Sequence, residues 1–196
     1  MRITVQESPA KVFRLSTPMH LLDKLWWEIA GFKRAQRSES QFKYLLPAYH
    51  AFNCAVTAWH MTDWVWEYAD AESRVALASK YKIKGTSLRS FQKAVARANR
   101  SINACQEIAN GSKHREVRRL QANPHVRAEV VWAELEKGDV GERRFGSVWQ
   151  IRDEDGVRPA LQVFKEAADY WREVISPWME DSFVEGRPIQ NTRIPR

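Results

Sequence analysis

The sequence lacks several features that would place it in a familiar class of protein. No run of apolar residues approaches the roughly 18 that a membrane-spanning helix needs. The N-terminus has no basic segment followed by an apolar stretch, so we expect no secretory signal. Internal repeats, low-complexity tracts and strong catalytic fingerprints are absent too. These absences favour a soluble, cytoplasmic protein whose function has to be inferred from smaller features.

Cysteine is scarce as well. Only Cys54 and Cys105 occur in the chain, and they are not arranged as Cys-x-x-Cys. Two cysteines cannot build a structural zinc site by themselves. Each lies in the middle of an apolar helical pattern, which favours buried packing over a redox or catalytic role.

The length and composition are those of one folded domain. The chain has 196 residues, of which 44% are hydrophobic, and this is enough for a substantial core. We expect residues 1–185 to form a single helical-bundle domain and residues 186–196 to form an extended C-terminal tail.

Hydrophobic spacing predicts a mainly α (α+β) fold. It is a bundle of four or five helices with a small antiparallel sheet inserted before the last helix. Thr17 and Pro18 mark the start of the first helix as its N-cap and first residue. The predicted helices span approximately residues 18–36, 38–69, 71–79, 88–109 and 164–177. Asn110-Gly111 is expected to end the fourth of these helices, with Gly111 left-handed.

The sheet is predicted within residues 126–164. Residues 126–132 alternate between apolar and polar, which indicates a strand, although a helix through residue 136 is an alternative. Residues 148–151 form the second predicted strand and residues 159–164 the third, and Asp155-Gly156 is expected to form a hairpin turn between them. Two short alternating stretches within residues 2–15 are further candidate edge strands.

Positive charge is concentrated in one segment. The formal net charge of the chain is +7, yet residues 80–119 alone carry eleven Lys or Arg against two acidic residues, a net +9. A local excess of this kind is typical of a surface that binds an anion such as nucleic acid, and a merely solvated surface is the alternative.

The predicted helix over residues 88–109 carries a stripe of cations opposite its apolar face. At about 100° per residue, four side chains share that side: Arg89, Lys93, Arg97 and Arg100. Cations at this spacing can follow a phosphate backbone. The candidate nucleic-acid-binding set also includes Arg115, Arg118 and Arg119. Lys80, Lys82 and Lys84, in the segment before the helix, support the same interpretation.

Polar residues continue an apolar stripe on the second helix. The stripe consists of Phe42, Leu45, Tyr49, Phe52, Val56 and Trp59. His60, Asp63 and Glu67 fall in the same angular sector, so we expect them to lie on the core-facing side. Because an unpaired buried carboxylate is costly, Asp63 should have a partner or open onto a cleft.

Lys113 and His114 are the candidate partners of His60 and Asp63. These four residues would suit an acid–base site, in which Asp63 raises the pKa of His60 and Lys113 lowers that of His114. A buried network that joins two helices is an alternative interpretation. A metal site formed by His60, Asp63, Glu67 and His114 is another.

Two segments, AFNCAVTAWHMTDWVWEY and CQEIANGSKHREV, are similar to a pattern in uncharacterised bacterial and phage proteins. Their layout over residues 42–120 also resembles the HEPN superfamily of helical-bundle proteins. That resemblance implies a metal-independent endoribonuclease of a toxin or phage-defence system, working without a cofactor and often as a homodimer. His60 and His114 would then exchange protons with the RNA, and Lys113 would stabilise the charged phosphorane.

The leading hypothesis is therefore a HEPN-like protein that binds nucleic acid and has no membrane partner. RNA is the first candidate for that nucleic acid. Two other hypotheses belong to different classes. One is a non-enzymatic protein-interaction module of phage or defence origin, and the other is a metal-dependent hydrolase on a helical bundle.

Overall fold

The computed structural model describes residues 15–37, 45–113, 126–135 and 144–184. The helices are α1 (Pro18–Ala35), α2 (Leu45–Tyr68), α3 (Ala71–Lys80), α4 (Leu88–Ala98), α5 (Arg100–Lys113) and α6 (Ala160–Val184). The strands are β1 (Arg127–Leu135), β2 (Arg144–Asp153) and β3 (Gly156–Pro159). The predicted fold class, a mainly helical bundle with a small antiparallel sheet before the last helix, is confirmed.

Helix α1 begins where its sequence signals place it. The Thr17 hydroxyl accepts a hydrogen bond from the His20 N–H at 3.3 Å, and Pro18 occupies the first helical position, where no N–H is needed. Leu22, Leu25 and Ile29 are buried on the inner face, as the spacing predicts.

The buried face of α2 coincides with the predicted stripe only in part, at Trp59, which is 7% exposed, and at Val56, which is half-buried against the core. Leu45, Tyr49 and Phe52 are 49%, 59% and 42% exposed, whereas Ala58 and Val65 are fully buried on the other side of the helix. Nearly every side of α2 is apolar, so periodicity could not select the inner face. Packing against α1 and the rest of the core selects it.

The predicted helix over residues 88–109 is in fact two helices. Asn99 adopts an extended conformation, with φ −135° and ψ 114°, and separates α4 from α5. Its side-chain oxygen accepts hydrogen bonds from the N–H groups of Ser101 and Ile102 at 2.9 and 3.0 Å, so it caps α5. The predicted end at Asn110-Gly111 is also wrong, because α5 continues to Lys113.

The sheet has the order β1-β2-β3 with antiparallel pairing throughout. A hairpin turn joins β2 and β3 at the predicted place, but its two loop residues are Glu154 and Asp155. Gly156 is the first residue of β3 and has the positive φ of 119° that favours glycine. The third strand is Gly156–Pro159 and not residues 159–164. Helix α6 already begins at Ala160, because Ala160, Val163 and Phe164 are buried at helical spacing.

Helix α6 also continues past Pro177, where the sequence predicted its end. A proline has no N–H group, so the carbonyl four residues earlier in the helix lacks its usual hydrogen-bond donor. For Pro177 this is the carbonyl of Glu173. The Ser176 hydroxyl donates a hydrogen bond to that carbonyl at 3.0 Å and satisfies it. The helix therefore tolerates the proline.

The sheet and α6 close the core against α1 and α2. Phe32 contacts the rings of Trp149 and Phe164 edge-on, with centroid distances of 6.0 and 5.5 Å. Trp171 is fully buried, and its indole N–H donates to the Ala58 carbonyl at 2.8 Å. The candidate strands within residues 2–15, the predicted start of the second helix near residue 38 or 40 and the predicted tail over 186–196 lie outside the described residues.

Candidate nucleic-acid interface

A basic groove lies between helix α4 and the connector that follows α3. Its volume is about 600 Å³, and it is open to solvent. The residues that line it are Lys80, Tyr81, Lys82, Ile83, Lys84, Ser90, Lys93, Ala94, Arg97 and Ala98. We call this surface the basic groove. Five of its ten residues are cationic and none is acidic.

The wall formed by the connector begins with a sharp turn at the end of α3. The Ile83 N–H donates to the Ala78 carbonyl at 2.8 Å, and the Lys82 N–H donates to the Ser79 carbonyl at 3.1 Å. This is the hydrogen-bond pattern of a Schellman motif. Because the chain turns here, Lys82 and Lys84 line the same groove as Lys93.

The facing wall belongs to α4. Lys93 and Arg97 are four residues apart, so they lie on one side of the helix about one turn from each other. Both are exposed. The opposite side of α4 packs into the core through Phe91 and Val95, which are fully buried. The amphipathic pattern of α4 therefore holds the two cations at the groove.

The floor of the groove is anchored to α6. The Tyr81 hydroxyl lies 2.5 Å from the Tyr170 hydroxyl in a hydrogen bond, and the Tyr81 ring packs edge-on against Phe91. Burial raises the pKa of Tyr81, so the phenol stays neutral. The Lys80 ammonium lies 5.6 Å from the centroid of the Tyr81 ring. These contacts give the connector a fixed support.

The five cations of the groove form no ion pair with any carboxylate among the described residues. Several other arginines of the molecule are paired: Arg74 with Glu67, Arg152 with Glu129, and Arg158 with Asp153. The groove is therefore a surface whose positive charge no carboxylate of the described residues compensates.

The predicted cationic stripe is only partly present. Lys93 and Arg97 line the groove, and Arg89 is exposed on the same helix without being part of the lining. Arg100 is not in the stripe, because the break at Asn99 places it on α5. There it forms a bidentate ion pair with Asp153, in which Nε lies 2.7 Å from Oδ2. Including Arg100 in the stripe was wrong.

The polar sector of α2 lies outside the core. His60 is exposed, Glu67 is exposed and 3.8 Å from Arg74, and Asp63 is half-buried. Gln92 of α4 donates to Asp63 Oδ1 at 3.2 Å and to the Thr62 hydroxyl at 3.3 Å. The expectation that this sector faces the core is wrong, because the buried side of α2 is the opposite one. Asp63 was expected to have a partner, and Gln92 is one. This partner was not predicted from the sequence.

Several predicted site residues lie beyond what the structure describes. These are His114, Arg115, Arg118 and Arg119, together with the side chain of Lys113. Their proposed roles beside His60 and Asp63 stay predictions. Within the described ranges, no group of three or more His, Cys, Asp or Glu side chains could hold a metal ion.

Both cysteines are fully buried, which confirms the prediction of a packing role. Burial raises the pKa of the Cys105 thiol to about 12, and it raises that of Cys54 further. Neither thiol is a nucleophile at neutral pH, since the thiolate is the reactive form.

The sequence pointed to Lys80, Lys82 and Lys84 as supporting cations, and all three line the basic groove. A charged network around Ser101 was not predicted from the sequence. The network has no local signal, since its members come from α5, the β2–β3 hairpin and α6.

None of the helices in the described ranges combines the length and apolarity needed to cross a bilayer. The chain matches no protein-family model, no curated protein and no solved structure. Its function therefore has to be argued from the basic groove and the residues around it.

Proposed function

We propose that this protein binds the phosphate backbone of nucleic acid at the basic groove. RNA is the first candidate ligand. The observation that carries the proposal is the convergence of five cations on one groove whose lining contains no acidic residue. Each phosphate that such a surface neutralises releases condensed counterions, which is the main source of non-specific affinity for nucleic acid.

The chemistry of the lining favours recognition of the backbone over recognition of bases. Four of the five cations are lysines, which act as point charges toward phosphate. Asn, Gln, Asp and Glu, which read base edges by hydrogen bonds, do not line the groove. The Tyr81 ring is half-buried and packed on Phe91, so it is not a free platform for stacking a base. Binding should therefore depend weakly on sequence.

The ribonuclease activity implied by the HEPN resemblance stays a prediction, as does the homodimer. Exposure of His60 is compatible with access to an RNA, and Gln92 lies next to Lys93 on α4, so the Asp63 sector and the groove adjoin the same helix. The acid–base step needs His114, which lies outside the described residues.

The test is a salt titration of RNA binding by fluorescence anisotropy, with a short labelled single-stranded RNA. The triple variant Lys84→Gln, Lys93→Gln, Arg97→Gln removes three groove cations. We expect weaker binding and a slope of log K against log salt that is shallower by about 2, since each lost phosphate contact contributes about 0.7.

The matched control is Lys33→Gln, Arg34→Gln, Lys165→Gln, which removes the same charge from exposed positions on α1 and α6. It should leave the slope close to that of the wild type. Equal slopes for the two triple variants would contradict the proposal and would favour a protein-interaction module.

A further inference from the structure

Lys82 has an unusual backbone conformation. Its φ is 51°, and it is the only residue other than glycine with a positive φ in the part of the chain that the structure describes. A side chain with a Cβ atom is disfavoured there, because the Cβ approaches the following carbonyl oxygen. The conformation is therefore a local cost to folding.

The position of Lys82 is one that glycine ordinarily takes. In the Schellman motif that ends α3, Lys82 is the first residue beyond the C-cap Tyr81, and Ile83 follows it and packs against the core. Glycine would make the same hydrogen bonds without the steric cost. Nothing in the turn itself requires a lysine.

Among the described residues, no contact of the Lys82 side chain offsets the steric cost of its positive φ. Lys82 is exposed, and its ammonium makes no hydrogen bond or ion pair within the described residues. Lys80 and Lys84 line the same groove on either side of it along the chain, so like charges surround it. Strain without an internal compensation is typical of a residue that is kept for an external ligand.

We infer that Lys82 is the principal phosphate-binding residue of the basic groove, an inference that rests on the proposed function. The left-handed turn sets Lys82 at the corner where the chain leaves α3. It is the middle lysine of the row Lys80, Lys82 and Lys84, and Lys93 and Arg97 line the facing wall. A phosphate in the groove would lie between these two rows and relieve the repulsion among them.

Four single variants test this inference by two measurements, RNA affinity at fixed salt and the urea midpoint of unfolding. Lys82→Gly removes the charge and the strain, whereas Lys82→Gln removes the charge alone. Lys84→Gln removes a neighbouring charge, and Lys82→Arg keeps the charge.

We expect both neutral variants at Lys82 to weaken binding about tenfold, and Lys84→Gln to weaken it about two- to threefold. Lys82→Arg should bind nearly as the wild type does. Lys82→Gly should unfold at a higher urea concentration than the wild type, so that affinity and stability change in opposite directions.

Equal losses of affinity for Lys82→Gln and Lys84→Gln would overturn the inference, because Lys82 would then be one charge among equals. A lower urea midpoint for Lys82→Gly would overturn it also, since the strain would not be real. Both results leave the proposed function intact. That function fails separately if the triple variant Lys84→Gln, Lys93→Gln, Arg97→Gln keeps the wild-type salt slope.

Discussion

At the residue scale, a single buried carboxylate illustrates how a charge is tolerated in the core. Glu28 of α1 is 2% exposed, and it forms an ion pair with Lys24 one turn earlier. The Lys24 ammonium also donates to the Thr57 hydroxyl of α2 at 2.7 Å, so the pair joins the two helices. The second oxygen of Glu28, Oε2, has no hydrogen-bond partner. The negative charge of Glu28 therefore depends on the Lys24 ammonium for compensation in the core.

Replacing Lys24 by Met should destabilise the protein by about 3 kcal/mol, because it leaves the Glu28 carboxylate buried without a counter-ion. The free energy of unfolding from urea titrations at pH 7 is the measurement. The double variant Lys24→Met, Glu28→Leu should recover most of the loss, since a packed apolar pair replaces a partly buried ion pair at little cost.

A loss in the double variant that equals the sum of the two single losses would contradict this account. It would mean that Lys24 and Glu28 contribute independently, through packing alone.

At the element scale, the break between α4 and α5 determines which cations act together. Asn99 leaves the helical conformation and caps α5, and as a result Arg100 turns away from Arg97 and pairs with Asp153. A continuous helix would have kept Arg100 on the cationic side. Because Asn99 ends α4, Arg100 forms an ion pair within the fold, whereas Arg97 lines the basic groove.

Asn99→Ala should lower the free energy of unfolding by about 1 kcal/mol, because two N–H groups at the start of α5 lose their acceptor. Asn99→Asp should retain most of the stability. The control is Asn103→Ala, which lies within α5 and should be neutral or slightly stabilising, since alanine is the better helix former. Similar losses for Asn99→Ala and Asn103→Ala would exclude a capping role.

At the scale of the whole molecule, one charged network connects four elements, because it joins α5 to the consecutive elements β2, β3 and α6. Arg158 of β3 donates to Glu166 of α6 at 2.6 Å, to the Ser101 hydroxyl of α5 at 2.9 Å and to Asp153 of β2 at 3.3 Å. Arg100 pairs with the same Asp153. The network holds the hairpin against α5 and α6, so it stabilises the closed bundle.

This network should make stability depend on pH in the acid range. The hydrogen bond from Arg100 and the charges of Arg100 and Arg158 lower the pKa of Asp153 below the ordinary value of 3.8. A carboxyl with a lowered folded pKa contributes stability that is present above its unfolded pKa. That contribution is lost as the pH falls from the ordinary value through the lower folded one.

Asp153→Asn should therefore destabilise the protein by about 2 kcal/mol at pH 7 and should reduce the loss of stability on acidification below pH 4. Urea titrations across pH 2–7 measure both effects. Asp155→Asn is the matched control, because its carboxylate is 73% exposed and near the same Arg100. A control variant with the same acid profile as Asp153→Asn would show that the buried carboxylate has no special role.

Some features that depend only on neighbouring residues could be predicted from the amino-acid sequence. The start of α1 follows from a capping threonine and a proline, and the β2–β3 turn follows from Asp155 in the loop and Gly156, whose positive φ favours glycine, directly after it. The positive charge of residues 80–119 could likewise be read directly. Short-range hydrogen bonds and conformational preferences decide such features, and they are the same in any tertiary context.

Tertiary packing, by contrast, selects the inner face of α2. An evenly apolar helix has no preferred side until α1 packs against it. The path of α6 past Pro177 has a local cause that was not predicted, because the hydroxyl of Ser176 offsets the missing hydrogen bond. The basic groove also depends on tertiary packing. Its cations come from the end of α3, the connector after it and α4, and the packing of these segments on a common core brings the cations to one groove.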